Sequence, residues 1–68
     1  MSVGERIISL RTASSLSQGQ LAERMGVSRQ AVSKWESGTS DPSTSNLLAL
    51  AKLYGVSAED LLREAAGE

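Results

Sequence analysis

The sequence predicts an all-α domain of five short helices packed around one core. Three observations carry that expectation. Ser2, Ser17, Ser28, Ser43 and Ser57 each stand before a stretch whose apolar residues recur at helical spacing, where a hydroxyl caps the first free N–H groups of a helix. The period-2 alternation of a half-buried strand occurs nowhere in the 68 residues. The tripeptide Gly-Val-Ser occurs twice, at 26–28 and 55–57, each time where one helical pattern ends and another begins.

Ser2-x-x-Glu5 is a capping box, in which hydroxyl and carboxylate each bond the other residue's N–H. It opens a first helix whose inward face is Val3, Ile7 and Leu10, with Arg11 beside them. Ser14-Ser15 ends that helix, and Leu16 is expected to plug the core from the connection. Ser17-x-x-Gln20 is a second capping box, opening a short helix with Leu21, Ala22 and Met25 on one side. Gly26 closes it at positive φ, which glycine adopts without a Cβ penalty. Ser28 caps the third helix, with Val32 and Trp35 inward, and Ser37-Gly38 ends it. Thr39-Ser40-Asp41-Pro42 reads as a polar loop, Pro42 standing where a helix can start but not continue. Ser43 caps the fourth helix, whose apolar face is Leu47, Leu50, Ala51 and Tyr54, and Gly55 ends it. Ser57 caps the fifth, which carries Leu61 and Leu62. Leu62 is expected either in a second face of the core or at a dimer contact, the dimer being favoured; Glu59, Asp60 and Glu64 serve the helix and solubility, and residues 66–68 are expected to fray.

A chain of 68 residues has room for one domain, 1–68, and one modest core, and its 40% hydrophobic content is enough to fold it. Without cysteine there is no disulfide or thiolate chemistry, and without histidine the commonest general base and metal ligand is missing. No glycine-rich phosphate loop or inward carboxylate pair compensates, so no catalytic site, cofactor or metal is expected. The longest apolar run is five residues, Leu47 to Ala51, far short of a membrane span. No basic segment followed by an apolar stretch opens the chain, so no signal peptide is expected.

The two Gly-Val-Ser joints lead into residues of opposite charge. After the second come Glu59 and Asp60, the acids that a helix N-terminus favours; after the first come Arg29 and then Lys34. A cation in the first turn opposes the helix macrodipole at a cost of about 0.3–1 kcal/mol. Arg29 therefore points to a partner more negative than the helix end is positive, and DNA is the obvious one. A joint of three residues also forces two helices to cross steeply, as in a helix-turn-helix over about 17–37. Ala22 permits the close approach, Gly26 makes the turn, and Val32 fills the contact from the other side.

Ser17-Gln18-x-x-Leu21-Ala22-x-x-Met25-Gly26-Val27-Ser28-x-x-x-Val32-Ser33-Lys34-Trp35-Glu36-x-Gly38, then Pro42-Ser43 and Leu50-Ala51-x-x-Tyr54-Gly55-Val56-Ser57, resembles the Cro/lambda-repressor-like helix-turn-helix family. That family includes the bacterial xenobiotic-response-element-type regulators. The resemblance runs from about Ile7 to Leu62 and implies a compact five-helix DNA-binding domain. It implies base reading by Arg29, Gln30, Ser33 and Lys34, and the chemistry agrees: arginine pairs bidentately with guanine, glutamine with adenine. Ala31 is expected to face outward, toward a thymine methyl. Gln18 matches a side chain that relatives set against a phosphate, and the helix starts at Ser17, Ser28 and Ser43 offer free N–H groups to the backbone. Arg11 and Glu36 match a pair that forms an internal salt bridge in several relatives. Relatives often carry lysine or arginine after the third helix; here stand Thr39, Ser40 and Asp41, so phosphate contact there falls to hydroxyls such as that of Thr39.

The function expected is sequence-specific binding of double-stranded operator DNA by a transcriptional regulator, a repressor, with the third helix in the major groove. A single module buries only about 600–1,000 Å², so a homodimer reading two half-sites is expected to supply affinity. The resemblance also implies a bacterial, cytoplasmic, nucleoid-associated protein. The charge balance is unusual for such a role: seven basic and eight acidic residues give a net charge of −1. Glu59, Asp60, Glu64 and Glu68 crowd the last ten residues, and residues 17 to 45 are balanced, with Arg24, Arg29 and Lys34 against Glu23, Glu36 and Asp41. The alternative that this balance favours is a protein-interaction module on the same fold, of antitoxin or coactivator-bridge type.

Overall fold

The computed structural model describes residues 2–61, and the expectations for Leu62, Glu64 and residues 66–68 lie outside them. Four helices come in order, α1 (Val3–Ala13), α2 (Gln18–Met25), α3 (Arg29–Ser37) and α4 (Thr44–Tyr54), and helical backbone resumes as α5 over 58–61. No strand occurs among the described residues, and none of their helices is long and apolar enough to cross a membrane. α3 packs against both α1 and α2, and α4 packs against α2.

Each helix begins where its serine stands. The hydroxyls of Ser2, Ser17, Ser28 and Ser43 accept N–H bonds from Glu5, Gln20, Ala31 and Asn46 at 3.1–3.2 Å, and Ser57 caps Asp60 in the same way at 2.9 Å. Both capping boxes close, with Glu5 and Gln20 accepting from Ser2 N–H and Ser17 N–H at 2.8 Å. That bond holds the Glu5 carboxyl below its usual value, because it stabilises the charged form.

The two glycine joints are built alike. Gly26 and Gly55 sit at φ +72° and +69°, and Val27 and Val56 each return an N–H bond of 3.0 Å to Ala22 and Ala51. Both valines then pack on the core. The turn after α1 uses no glycine: Ser15 itself takes φ +61°, a conformation uncommon for a residue with a Cβ.

The core is Ile7, Leu21, Ala22, Val32, Trp35, Leu50, Ala51 and Leu61, so every helix contributes. Val3, Leu10, Leu16, Met25 and Tyr54 pack around it as the spacing predicts. Leu47 is only half-buried, while Leu48 is 56% exposed and Leu53 36%. The apolar stripe of α4 is thus narrower than the run of leucines, and part of that run faces water.

Two contacts clamp α1 to α3, and only one is legible in the sequence. Arg11 lays its guanidinium along the Glu36 carboxylate, Nε to Oε2 at 2.6 Å and NH2 to Oε1 at 3.1 Å. Its NH1 donates to the Leu16 carbonyl at 3.0 Å, so the same side chain also ties down the α1–α2 connection. The hydrogen bonds that Arg11 donates to Glu36 raise its pKa above the ordinary value. The second contact is Gly4, which is buried. A Cβ there would overlap the Trp35 carbonyl oxygen and stand 3.0 Å from that of Glu36, so α1 rests directly on the last turn of α3.

Both clamps are testable by urea denaturation. Gly4→Ala is expected to cost about 1–3 kcal/mol, the range for forcing atoms into a packed contact. Gly19→Ala, whose new Cβ meets only the Arg29 Cδ at 3.8 Å and the capping Ser17 Oγ at 3.9 Å, is expected to leave stability unchanged or raise it. Equal effects would show that α1 does not rest on α3. Arg11→Met or Glu36→Leu alone is expected to cost about 3–5 kcal/mol by stranding the partner's charge, and the double replacement less than the sum. Additive losses would mean that the two side chains do not interact.

Candidate nucleic-acid interface

α3 is nine residues long, about 13.5 Å at 1.5 Å per residue, and is presented by the short turn from α2. The described residues enclose no pocket. Val32 and Trp35 turn one side of α3 into the core. Arg29, Gln30 and Lys34 are exposed or partly so, and Ser33 is half-buried. Ala31 corrects the expectation: it is half-buried and packs on the core. It stands four residues before Trp35, one helical turn, and so shares the inward stripe.

Arg29 does not extend freely from α3. Its Cδ lies 3.8 Å from the place a Cβ would occupy on Gly19, so the stem crosses the first turn of α2. Its NH1 lies 3.5 Å from Gln18 Oε1, at the outer limit of a hydrogen bond. Gln18 is half-buried and donates from Nε2 to Glu36 Oε1 at 2.9 Å. The structure thus brings together Arg11, Glu36, Gln18 and Arg29, which the sequence assigned to three separate tasks. The link from Gln18 to Glu36 has no sequence signal beyond their shared place in the motif, and Gly4 and Gly19 have none at all.

The remaining residues expected at the interface lie at helix starts and in the loop after α3. Ser17, Ser28 and Ser43 are exposed, and their oxygens are taken up in capping. Each hydroxyl keeps its own proton to donate outward. Thr39 is exposed in the loop after α3, its Oγ1 sharing a hydrogen bond of 2.8 Å with Ser37 Oγ and its N–H bonded to the Lys34 carbonyl.

The helix ends divide into two electrostatic kinds. α1 has Glu5 in its first turn, and Glu59 and Asp60 come after the cap of α5. α2, α3 and α4 have no acid in their first turns. Their partial positive charges therefore stand uncompensated, which is the electrostatic form of an anion site. With Glu36 held by Arg11, the stretch from Ser17 to Ser45 sets Arg24, Arg29 and Lys34 against only Glu23 and Asp41.

A family model described as helix-turn-helix matches residues 7–61. The HTH-type transcriptional activator BcrR of Enterococcus faecalis is 44% identical over 62 residues, 91% of this chain and 30% of that protein. Repressor protein C2 of Salmonella phage P22 is 39% identical over 61 residues, 90% of this chain and 28% of that protein. The chain thus spans less than a third of the length of either relative. The crystal structure of the P22 c2 repressor in complex with a synthetic operator matches with a TM-score of 0.83 at 38% identity, covering 90% of this chain and 92% of that one. Fold, motif and relatives agree over nearly the whole chain, which belongs to the helix-turn-helix family in its Cro/lambda-repressor-like form.

Proposed function

We propose that this domain binds double-stranded DNA sequence-specifically, laying α3 in the major groove, as the reading head of a cytoplasmic, nucleoid-associated transcriptional regulator. One observation carries the proposal: Arg29 is an exposed cation held across the starts of two helices, where no acid offsets it. A strongly anionic partner makes that placement favourable. The likeness to a repressor solved on its operator supports the same conclusion.

In this proposal Arg29, Gln30, Ser33 and Lys34 read base edges, with Ser33 the most restricted because it is half-buried. Ser17, Ser28, Ser43, Thr39 and the second N–H of Gln18 hold phosphates. The activity is binding, without catalysis, metal or cofactor. Two copies fit side by side as a homodimer on half-sites about 34–36 Å apart, since the longest extent of one is 29 Å. Occupancy of a site is enough to repress; activation needs a further surface, and relatives include both an activator and a repressor. The exposed Leu48 and Leu53 and the net charge of −1 favour a second role in which the same fold docks a protein.

Selection from randomised duplexes at low salt, followed by anisotropy on the enriched site, tests the proposal. Arg29→Ala is expected to cost about 1–3 kcal/mol on that site and to relax preference at one base pair. An equal loss on every sequence would reduce Arg29 to a phosphate contact. No enrichment in any round would favour the protein-docking role. With so few cations on the face, the salt dependence is expected to correspond to roughly two to three phosphates per subunit. A slope as steep as that of a strongly basic binder would contradict the electrostatics above.

A further inference from the structure

We infer that Ser40 is a phosphorylation site, and that one phosphoryl group there turns off the face that meets DNA. The inference rests on the DNA-reading proposal and adds a control to it. Six of the nine residues from Ser37 to Ser45 carry hydroxyls. Ser37 and Thr39 bond each other, Ser43 caps α4, and Thr44 and Ser45 lie in the first turn of that helix. Ser40 is exposed, outside any helix, and its hydroxyl bonds to no described residue. Its connection, residues 38–43, is the longest between described helices, six residues against three at each Gly-Val-Ser joint. A kinase must draw the chain around its target into its own cleft, which an exposed connection permits and a helix resists. The donor implied is ATP: the Ser40 oxygen attacks the γ-phosphorus, the bond to the β-phosphate oxygen breaks, ADP leaves, and the hydroxyl proton passes to the base of the kinase. Hydrolysis of the ester restores the serine.

Charge makes this position effective in two ways. With Glu36 held by Arg11, the cations Arg24, Arg29 and Lys34 outweigh Glu23 and Asp41 by a single charge between Ser17 and Ser45. Phosphoserine carries about −1.5 to −2 at neutral pH, so one is enough to reverse the sign of that stretch. A strongly basic binder would keep its sign under the same modification. The other effect is local. Thr39 and Ser40 both donate their N–H to the Lys34 carbonyl, at 3.0 and 3.3 Å, so residue 40 is rooted against the backbone of a base-reading residue. Lys34 is exposed and its ammonium pairs with no described acid, which leaves it available to phosphoryl oxygens. One phosphoryl group at Ser40 thus repels the phosphates of DNA and captures a cation meant for its bases.

The test sets wild type beside Ser40→Ala, Ser40→Glu, Ser9→Glu and protein with phosphoserine incorporated at position 40, all on the duplex that wild type enriches. Fluorescence of the buried Trp35 checks that each is folded. Phosphoserine is expected to weaken binding about tenfold or more at low salt, with the loss shrinking as salt rises. Ser40→Glu should lose less than phosphoserine, and Ser40→Ala should bind as wild type does. Ser9→Glu adds the same charge at an exposed position of α1 and is expected to lose less than Ser40→Glu. Equal losses at 9 and 40, or undiminished binding by the phosphoserine protein, would overturn the inference with DNA reading intact. Capture of Lys34 is read without DNA, by following the 31P shift with pH. The second ionisation of the phosphoryl group is expected at lower pH than in the phosphorylated peptide 37–43, which keeps Asp41, and Lys34→Met should move it back. An ionisation that Lys34→Met leaves unmoved would refute the capture. In protein from its own cells, the tryptic peptide 35–52 is expected to carry phosphoryl on Ser40. A peptide never modified, or modified only at its other hydroxyls, would overturn the assignment. Wild type that enriches no duplex would sink the DNA-reading proposal and this inference with it.

Discussion

The constraint on which the rest depends is the carboxylate of Glu36, brought almost out of water at the end of α3. Removing an ion from water costs several kcal/mol unless its lone pairs are filled, and here three N–H donors fill them, two from Arg11 and one from Gln18. Those donors come from α1 and from the first residue of α2, so satisfying one charge fixes the relation of three helices. Arg11 has donors left over and directs one to the Leu16 carbonyl, which seats the α1–α2 connection and the leucine that packs on the core. A domain whose core is eight apolar side chains has little stability to spare, so such a pair is a large share of its total.

The surface depends on the same charge. Neutralising Glu36 internally removes an anion from beside the start of α2, where Gln18 meets it. The first turns of α2, α3 and α4 then need only lack acids to become attractive to phosphate, and they do lack them. A chain with net charge −1 can in this way present a locally positive face. The acids gathered at Glu59 and Asp60 stabilise another helix start.

Most of the fold was legible because its signals are local. A serine cap with Glu5 or Gln20 three residues on is a short-range hydrogen-bond pattern, and a glycine between two apolar stripes is a backbone requirement, so helix starts and both joints emerge from neighbouring residues. Val32 and Trp35 were legible for the same reason, since three-residue spacing marks one face. The features that escaped depend on what lies across space. Gly4 is an unremarkable helix residue until the Trp35 carbonyl is set beside it. Ala31 faces inward because Trp35 one turn later widens the stripe, and the leucines of α4 outnumber the neighbours available to cover them. Arg29 and Gln18 could be named one by one from the motif, whereas their contact is a property of the crossing angle between α2 and α3.

The central claim is that the starts of α2, α3 and α4 form one face that meets DNA. Titration of 15N-labelled protein with a short mixed-sequence duplex, followed by amide chemical shifts, tests it most directly. The expected perturbations fall on residues 17–20, 28–34 and 43–46 and fade as salt is raised. Perturbations centred on Leu48, Lys52 and Leu53, with the amides of α3 unmoved, would contradict it.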